Sequence, residues 1–183
     1  MKDAAALLYE RFLILRCQSG DATALSELIA RYSPGLRLFL RKITGPTTTP
    51  DDLLQETWFA VYRKINSLQH PEAFSAWLYR IARDHAYREL RRKPVRHTPF
   101  DDADFEPTTP EEDHFTPEEA ANVRSALDKL PLEQREVLVL RFIEEMTYEQ
   151  IADVIACPVG TVRSRIHYAK RALRAKLEKE VYS

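Results

Sequence analysis

The residues best placed for chemistry are cations gathered near the C-terminal end of this chain. Arg163, Arg165, His167, Lys170, Arg171 and Arg174, with Ser164, surround a stripe of apolar residues at Val162, Ile166, Ala169, Leu173 and Leu177. Spacings of four, three, four and four place that stripe on one side of a helix and the cations on the rest of its surface. Such a face suits phosphates and base edges better than a bond-breaking reaction. Arg163 and Ser164, one turn into the helix, are spaced to reach base edges, and the later cations lie over phosphates. At the helix start, Val159, Gly160 and Thr161 present unpaired N–H groups that can hold a phosphate, and glycine lets the backbone come close.

That face must be held by the elements before it. Thr147 and Gln150, three residues apart, form a capping box that opens a helix at Tyr148 and carries it to about Ile155. Ala156-Cys157-Pro158 breaks it, because proline disfavours a helical residue before it and is well suited to open the next helix. A short helix, a tight break and a second helix with a basic outer face predict a helix-turn-helix.

Composition points the same way only through its distribution. The net charge is −1 over 183 residues, which by itself suggests no nucleic acid. Yet Phe74 to Lys93 carries cations at 80, 83, 88, 91, 92 and 93 against Asp84 and Glu89, and Val159 to Glu180 is similarly basic. Between them, Pro94 to Glu119 holds nine acidic residues and only Arg96. Two basic helices flank an acidic spacer. Cys17 and Cys157 make neither a disulfide framework nor a zinc site, and the histidines show no ligand spacing. No Gly-rich phosphate loop or nucleophile motif is present. The apolar run at Leu7–Leu15 contains Glu10 and Arg11, so neither a signal peptide nor a membrane span is expected.

In chain order, a helix from about Ala4 to Cys17 is expected to bury Leu7, Leu8, Phe12 and Leu15. Ser19-Gly20 stops it, and Asp21 caps a second helix that Ser33-Pro34-Gly35 should kink or break. Asp51 or Asp52 opens a third helix, with Leu54, Trp58, Val61 and Ile65 on its core side. Asp52, Gln55, Glu56 and Phe59 fall opposite, a composition suited to a binding surface. Asn66–Glu72 reads as a loop. The next helix pairs an apolar side (Phe74, Trp77, Leu78, Ile81, Ala82, Leu90) with Arg80, Arg83, Arg88, Arg91, Arg92, Tyr79 and Tyr87. Arginines beside aromatics suit a single strand, where bases stack and phosphates pair. Pro94–Thr116 reads as an extended linker. Helices Pro117–Lys129 and Leu132–Glu144 then precede the helix-turn-helix, and no stretch asks to be a strand. The expectation is all-α: two small helical domains, 1–94 and 117–183, joined by a flexible acidic linker at 95–116.

Taken together, DDLLQETWFAVYRKI, FSAWLYRIARDHAYRELRRK and LPLEQREVLVLRFIEEMTYEQIADVIACPVGTVRSRIHYAKRAL resemble the extracytoplasmic-function (ECF) group of the sigma-70 family of bacterial transcription initiation factors. The resemblance spans nearly the whole chain. It implies no enzymatic activity and no cofactor or metal. It implies two partners, core RNA polymerase (β′ clamp helices and β flap) and promoter DNA, a third in an anti-sigma factor, and a cytoplasmic location. Asp52, Leu53, Gln55, Glu56 and Phe59 match the core-polymerase-binding helix. Asn66, Ser67, Leu68, His70, Phe74, Trp77, Arg80, Arg83, Asp84, Arg88 and Arg91 match the −10 and melting region, with the 66–72 loop capturing a flipped base. Thr147, Pro158, Val159, Gly160, Thr161, Arg163, Ser164, Arg165, His167, Tyr168, Lys170 and Arg171 match the −35 reader. The chain departs from many relatives at Asp84, where asparagine is common, at Tyr168, where arginine is frequent, and at Ala156 and Pro158 in the turn. The alternative is a stand-alone helix-turn-helix repressor or activator, which would bind duplex tightly without polymerase.

Overall fold

The computed structural model describes residues 4–45, 48–92 and 126–181, with side chains of the last helix as far as Leu177. Among these residues every regular element is helical, and no helix is long and apolar enough to cross a membrane. The chain divides into two compact units, one built on the helices before residue 95 and one on the C-terminal helices.

The first unit contains α1 (Ala4–Gln18), α2 (Ala22–Thr44), α3 (Pro50–Lys64) and α4 (Phe74–Arg92). Two 3-10 turns, Ile65–Ser67 and Pro71–Ala73, join α3 to α4. Helix α2 packs against α1, α3 and α4 and is the centre of the bundle. Its stripe of Leu28, Leu36, Phe39 and Leu40 is fully buried with Val61, Phe74 and Leu78. Two edge-on aromatic pairs seal it, Phe39–Tyr79 at 5.3 Å and Tyr32–Phe74 at 5.4 Å between ring centres.

Helix α2 runs unbroken through Ser33-Pro34-Gly35. Proline inside a helix costs about 3 kcal/mol. Each large side chain the continuous helix buries returns about 1.5–3 kcal/mol, and Tyr32, Leu36, Phe39, Leu40 and Ile43 all lie within or beyond the interrupted turn. Burial wins. At its start, Asp21 caps α2 as expected, accepting from Thr23 N at 2.8 Å and Ala24 N at 3.3 Å. Gly20, at φ +87°, makes the corner from α1.

Helix α1 reverses its expected face. Leu7, Leu8, Phe12 and Leu15 are exposed, and Leu13, Ile14 and Cys17 are buried together with Glu10. This helix is apolar on both sides, so its period does not choose a face; its partners do. Glu10 lies 3.5 Å from Arg31 and beside Tyr32, whose hydroxyl pKa is pushed up by burial and by that carboxylate. Helix α3 begins at Pro50 after Thr49 rather than at an aspartate cap; Asp51 instead accepts from Arg37 Nε at 2.7 Å. In α4, Tyr79 turns into the core, away from the arginines.

The second unit contains α5 (Leu132–Leu138), a π-helical turn at Val139–Ile143, α6 (Tyr148–Ile155) and α7 (Val159–Val181), with α5 packed on α7. The continuous helix expected to Glu144 therefore widens over its last turn. Glu144 N reaches Val139 O at 3.1 Å and Met146 N reaches Leu140 O at 3.0 Å, which brings Met146 into the core. Residues 126–128 are helical. Lys129, expected as the last residue of the helix Pro117–Lys129, is in a turn; residues 117–125 of that helix, and the linker 95–116, lie outside the described residues.

Candidate nucleic-acid and protein interfaces

The helix-turn-helix is held by short-range bonds. Thr147 N donates to Gln150 Oε1 at 3.0 Å and Gln150 N donates to Thr147 Oγ1 at 3.2 Å, a closed capping box. Ala156, at φ +56°, turns the chain, and Val162 N reaches Pro158 O at 3.2 Å to open α7. Pro158 and Gly160 are exposed, with Val159 and Thr161 half-buried. A Cβ at Gly160 would meet nothing of the chain, so the space beside it is open to a ligand. Val162, Ile166, Ala169 and Leu173 are buried, as their spacing predicted, whereas Leu177 at the end of the expected stripe is only half-buried.

The cations around that stripe divide into two groups. Arg163 is exposed, with its guanidinium 6.0 Å from the Tyr148 ring centre. Arg141 flanks the same ring at 5.5 Å and donates to Met146 O at 3.1 Å. A tyrosine ring with guanidiniums at 5.5 and 6.0 Å makes a shelf for Arg163. Glu149 is held below the usual carboxylate range by its own backbone N–H, the Thr147 hydroxyl and the nearby Arg163 charge. Arg171 and Arg174 are also exposed, Lys170 is half-buried, and His167 meets Tyr168 edge-on at 5.6 Å. Arg165, by contrast, turns back to Glu133 on α5 at 3.4 Å. Ser164 is buried and its hydroxyl donates to Thr161 O at 3.0 Å, so its side chain packs within the unit rather than standing out beside Arg163.

In the first unit, Asp52, Gln55, Glu56 and Phe59 share the exposed face of α3. Phe59 is 61% exposed, under Arg63 at 5.8 Å. Glu56 lies 3.1 Å from His85 Nδ1 on α4, and with Ala60, Lys64 and Arg63 they line a shallow groove of about 390 Å³. Leu53 is buried in the bundle and belongs to its packing rather than to this face. Tyr62, 67% exposed one turn beyond Phe59, extends the apolar part of this helix surface; its spacing of three from Phe59 was the available signal.

Between α3 and α4, Asn66, Ser67 and His70 are exposed, and His70 Nδ1 lies 3.4 Å from Glu72. The expected loop is thus two 3-10 turns. Leu68 and Phe74 are buried, anchoring the segment from beneath; apolar side chains at a turn between packed helices go inward. Along α4, Arg80, Asp84, Arg88 and Arg91 are exposed, while Trp77 and Arg83 are half-buried. The Arg83 guanidinium stands 4.2 Å from the Tyr87 ring centre, and Trp77 leans on Phe74 at 6.1 Å.

A fold that is helical throughout the regular elements of its described residues, with a sealed helix-turn-helix in one unit and a cation–aromatic helix in the other, suits nucleic-acid binding. Comparison with known proteins makes it specific. The model for sigma-70 region 2 matches residues 28–94 and that for sigma-70, region 4 matches residues 120–173. The chain is 33% identical to the ECF RNA polymerase sigma-E factor of Haemophilus influenzae, over 95% of this chain and 98% of that one. It is 33% identical to the RNA polymerase sigma-H factor of Pseudomonas aeruginosa, over 91% and 92%. Among solved structures, CnrH in complex with the cytosolic domain of CnrY superposes with a TM-score of 0.69 at 30% identity, covering 93% of this chain and 97% of that one. The chain belongs to the sigma-70 family, as an ECF sigma factor. It is a transcription initiation factor, not an enzyme.

Proposed function

We propose that this sigma factor divides its work between the two units as follows, with residues 1–94 serving as region 2, 117–183 as region 4 and 95–116 as the linker. Asp52, Gln55, Glu56 and Phe59 dock on the β′ clamp helices of core polymerase; a carboxylate–amide–aromatic face of this kind matches the usual chemistry of an interface core and rim. Asn66, Ser67 and His70 face the melted −10 strand, and Trp77, Arg80, Arg83, Asp84, Arg88 and Arg91 line its path, with aromatics for stacking and cations for phosphate. The N-terminal turn of α7 enters the −35 major groove and Arg163 reads a base edge there. Thr147, Pro158, Val159, Gly160 and Thr161 approach the backbone, and Lys170 and Arg171 neutralise phosphates further along.

The observation that carries this reading is the exposed Arg163 on its Tyr148 shelf. It is a charged side chain pre-set one turn into a capped recognition helix. We further infer that the factor works in the cytoplasm and that an anti-sigma factor restrains it, a reading supported by the CnrH relative being solved with a second protein's cytosolic domain. Run-off transcription with core polymerase, on a template from the chain's own upstream region, tests the assignment. A new transcript that requires this chain, and that Arg163→Ala lowers about tenfold or more, is the expected result. Absence of both transcript and core binding overturns it.

A further inference from the structure

We propose that Gln18, the last residue of α1, is a positioning residue for promoter opening. Its side-chain amide sets the backbone of the segment that presents Asn66, Ser67 and His70. This rests on the reading above that the 66–72 segment meets the −10 strand. Gln18 itself lies before the residues matched by the region 2 model.

Gln18 Nε2 donates to Leu68 O at 2.7 Å and to Ile65 O at 3.0 Å, across sequence separations of 50 and 47 residues. A primary amide carries two N–H donors in one rigid plane. Spent on two carbonyls, they fix the distance between those carbonyls and the turn that connects them. That turn is Asn66-Ser67. Leu68 N also reaches Ile65 O at 3.1 Å, and the Ile65 and Leu68 side chains are buried. The segment is therefore pinned at residues 65 and 68, by side chains from beneath and by Gln18 from the flank; between the pins lies the exposed pair, whose Ser67 hydroxyl donates to Lys64 O at 2.7 Å, with His70 just beyond.

Gln18 is in turn held in place. One residue earlier Cys17 is buried, and Arg16 Nε donates to Asp21 at 2.9 Å, closing the α1–α2 corner around it. A surface that captures a base loses less freedom on binding when its backbone is already ordered. Gln18 supplies that order from outside the segment, without needing to touch DNA.

The test uses holoenzyme reconstituted from core polymerase and the full chain, with Gln18→Met (similar length, no donor) and Gln18→Glu (carboxylate oxygens facing the carbonyls). Transcription is compared on a duplex promoter and on the same promoter premelted across the −10 element. Losing two hydrogen bonds should lower duplex-template transcription about tenfold for Gln18→Met and further for Gln18→Glu. On the premelted template the loss should stay under about threefold, because the opening step is bypassed. Core-polymerase affinity should hold, and the thermal midpoint should fall only by the few degrees that two lost hydrogen bonds cost. Equal losses on both templates, or a parallel loss of core affinity, would mean that Gln18 merely supports the bundle, and would overturn the proposal. Asn66→Ala and His70→Ala serve as the reference. If they show no duplex-against-premelted difference, the −10 reading itself is what fails; if they show it and Gln18→Met does not, only the role of Gln18 is lost.

Discussion

The two nucleic-acid surfaces proposed for this sigma factor are held in place in different ways. The proposed −35 surface is one continuous stretch: capping box, turn and recognition helix follow one another from Thr147 to Arg171, and most of the bonds that shape it span five residues or fewer. The proposed −10 surface is also one run of chain, the 3-10 turns leading straight into α4, but it is pinned from far away, with Gln18 at the end of α1 reaching across 47 and 50 residues. Local bonds make the first surface tolerant of faults elsewhere. The second exists only while the whole bundle stands.

The largest break in that contrast comes from the core. Phe39 is fully buried in the C-terminal part of α2, edge-on to Tyr79 of α4. Phe39→Ala should cost about 3–5 kcal/mol in urea unfolding of the first unit, followed by tryptophan fluorescence, since Trp58 and Trp77 both lie there. The −10 surface should be lost with it. Circular dichroism should still show the second unit's helices through the tryptophan transition. A single transition for both signals would contradict the independence of the two surfaces.

A surface substitution separates partner binding from folding. Phe59 is 61% exposed, so Phe59→Ala removes little packing. It should leave the unfolding midpoint nearly unchanged while weakening core-polymerase binding by more than about 1 kcal/mol, close to tenfold. Unchanged core affinity in a pull-down titration would move the docking face away from α3.

The same contrast explains how much could be read from the sequence. The helix-turn-helix was legible because its signals are local: Thr147 and Gln150 three apart, Pro158 in the break, and a stripe from Val162 to Leu173 that is buried throughout. The buried side of α1 was not, because Leu8 and Phe12 compete with Leu13 and Ile14 on opposite sides of one helix. The outcome depends on Arg31 and Tyr32 receiving Glu10. Leu53, Leu68, Phe74 and Ser164 sit at the margins of polar faces, where a shift of one position converts a contact residue into a packing residue. The π turn left no trace either, since Val139 to Ile143 is mostly apolar and would fit either winding. Gln18 carried no signal at all, its partners being backbone carbonyls far along the chain.

A smaller effect is expected in the locally held surface. Thr147→Ala opens one side of the capping box and should cost about 1 kcal/mol, read by chemical denaturation of the second unit. Transcription should fall only modestly, because the turn and the buried stripe of α7 remain. A loss as deep as that of Arg163→Ala would mean that the cap sets the angle of the recognition helix as well as its stability.

The smallest effect is a matter of pH and belongs to the corner that holds Gln18. Asp21 is held far below the usual carboxylate range by the Thr23 hydroxyl, then by Arg16 and by the N–H of Ala24. A carboxyl with a depressed folded pKa stabilises the fold above its unfolded pKa, about 4 for aspartate, and that contribution is lost as pH falls towards the folded value. Asn is itself a good helix cap, so Asp21→Asn preserves the cap and removes only the charge. At neutral pH the variant should melt slightly below the parent chain, and the gap should close progressively below about pH 4. Glu149 in the second unit is also depressed, so both proteins will weaken in acid; the difference between them isolates the corner. A gap that stays constant down to acid pH would show that Asp21 acts through its hydrogen-bond geometry alone, and that the Arg16 clamp beside Gln18 owes nothing to charge.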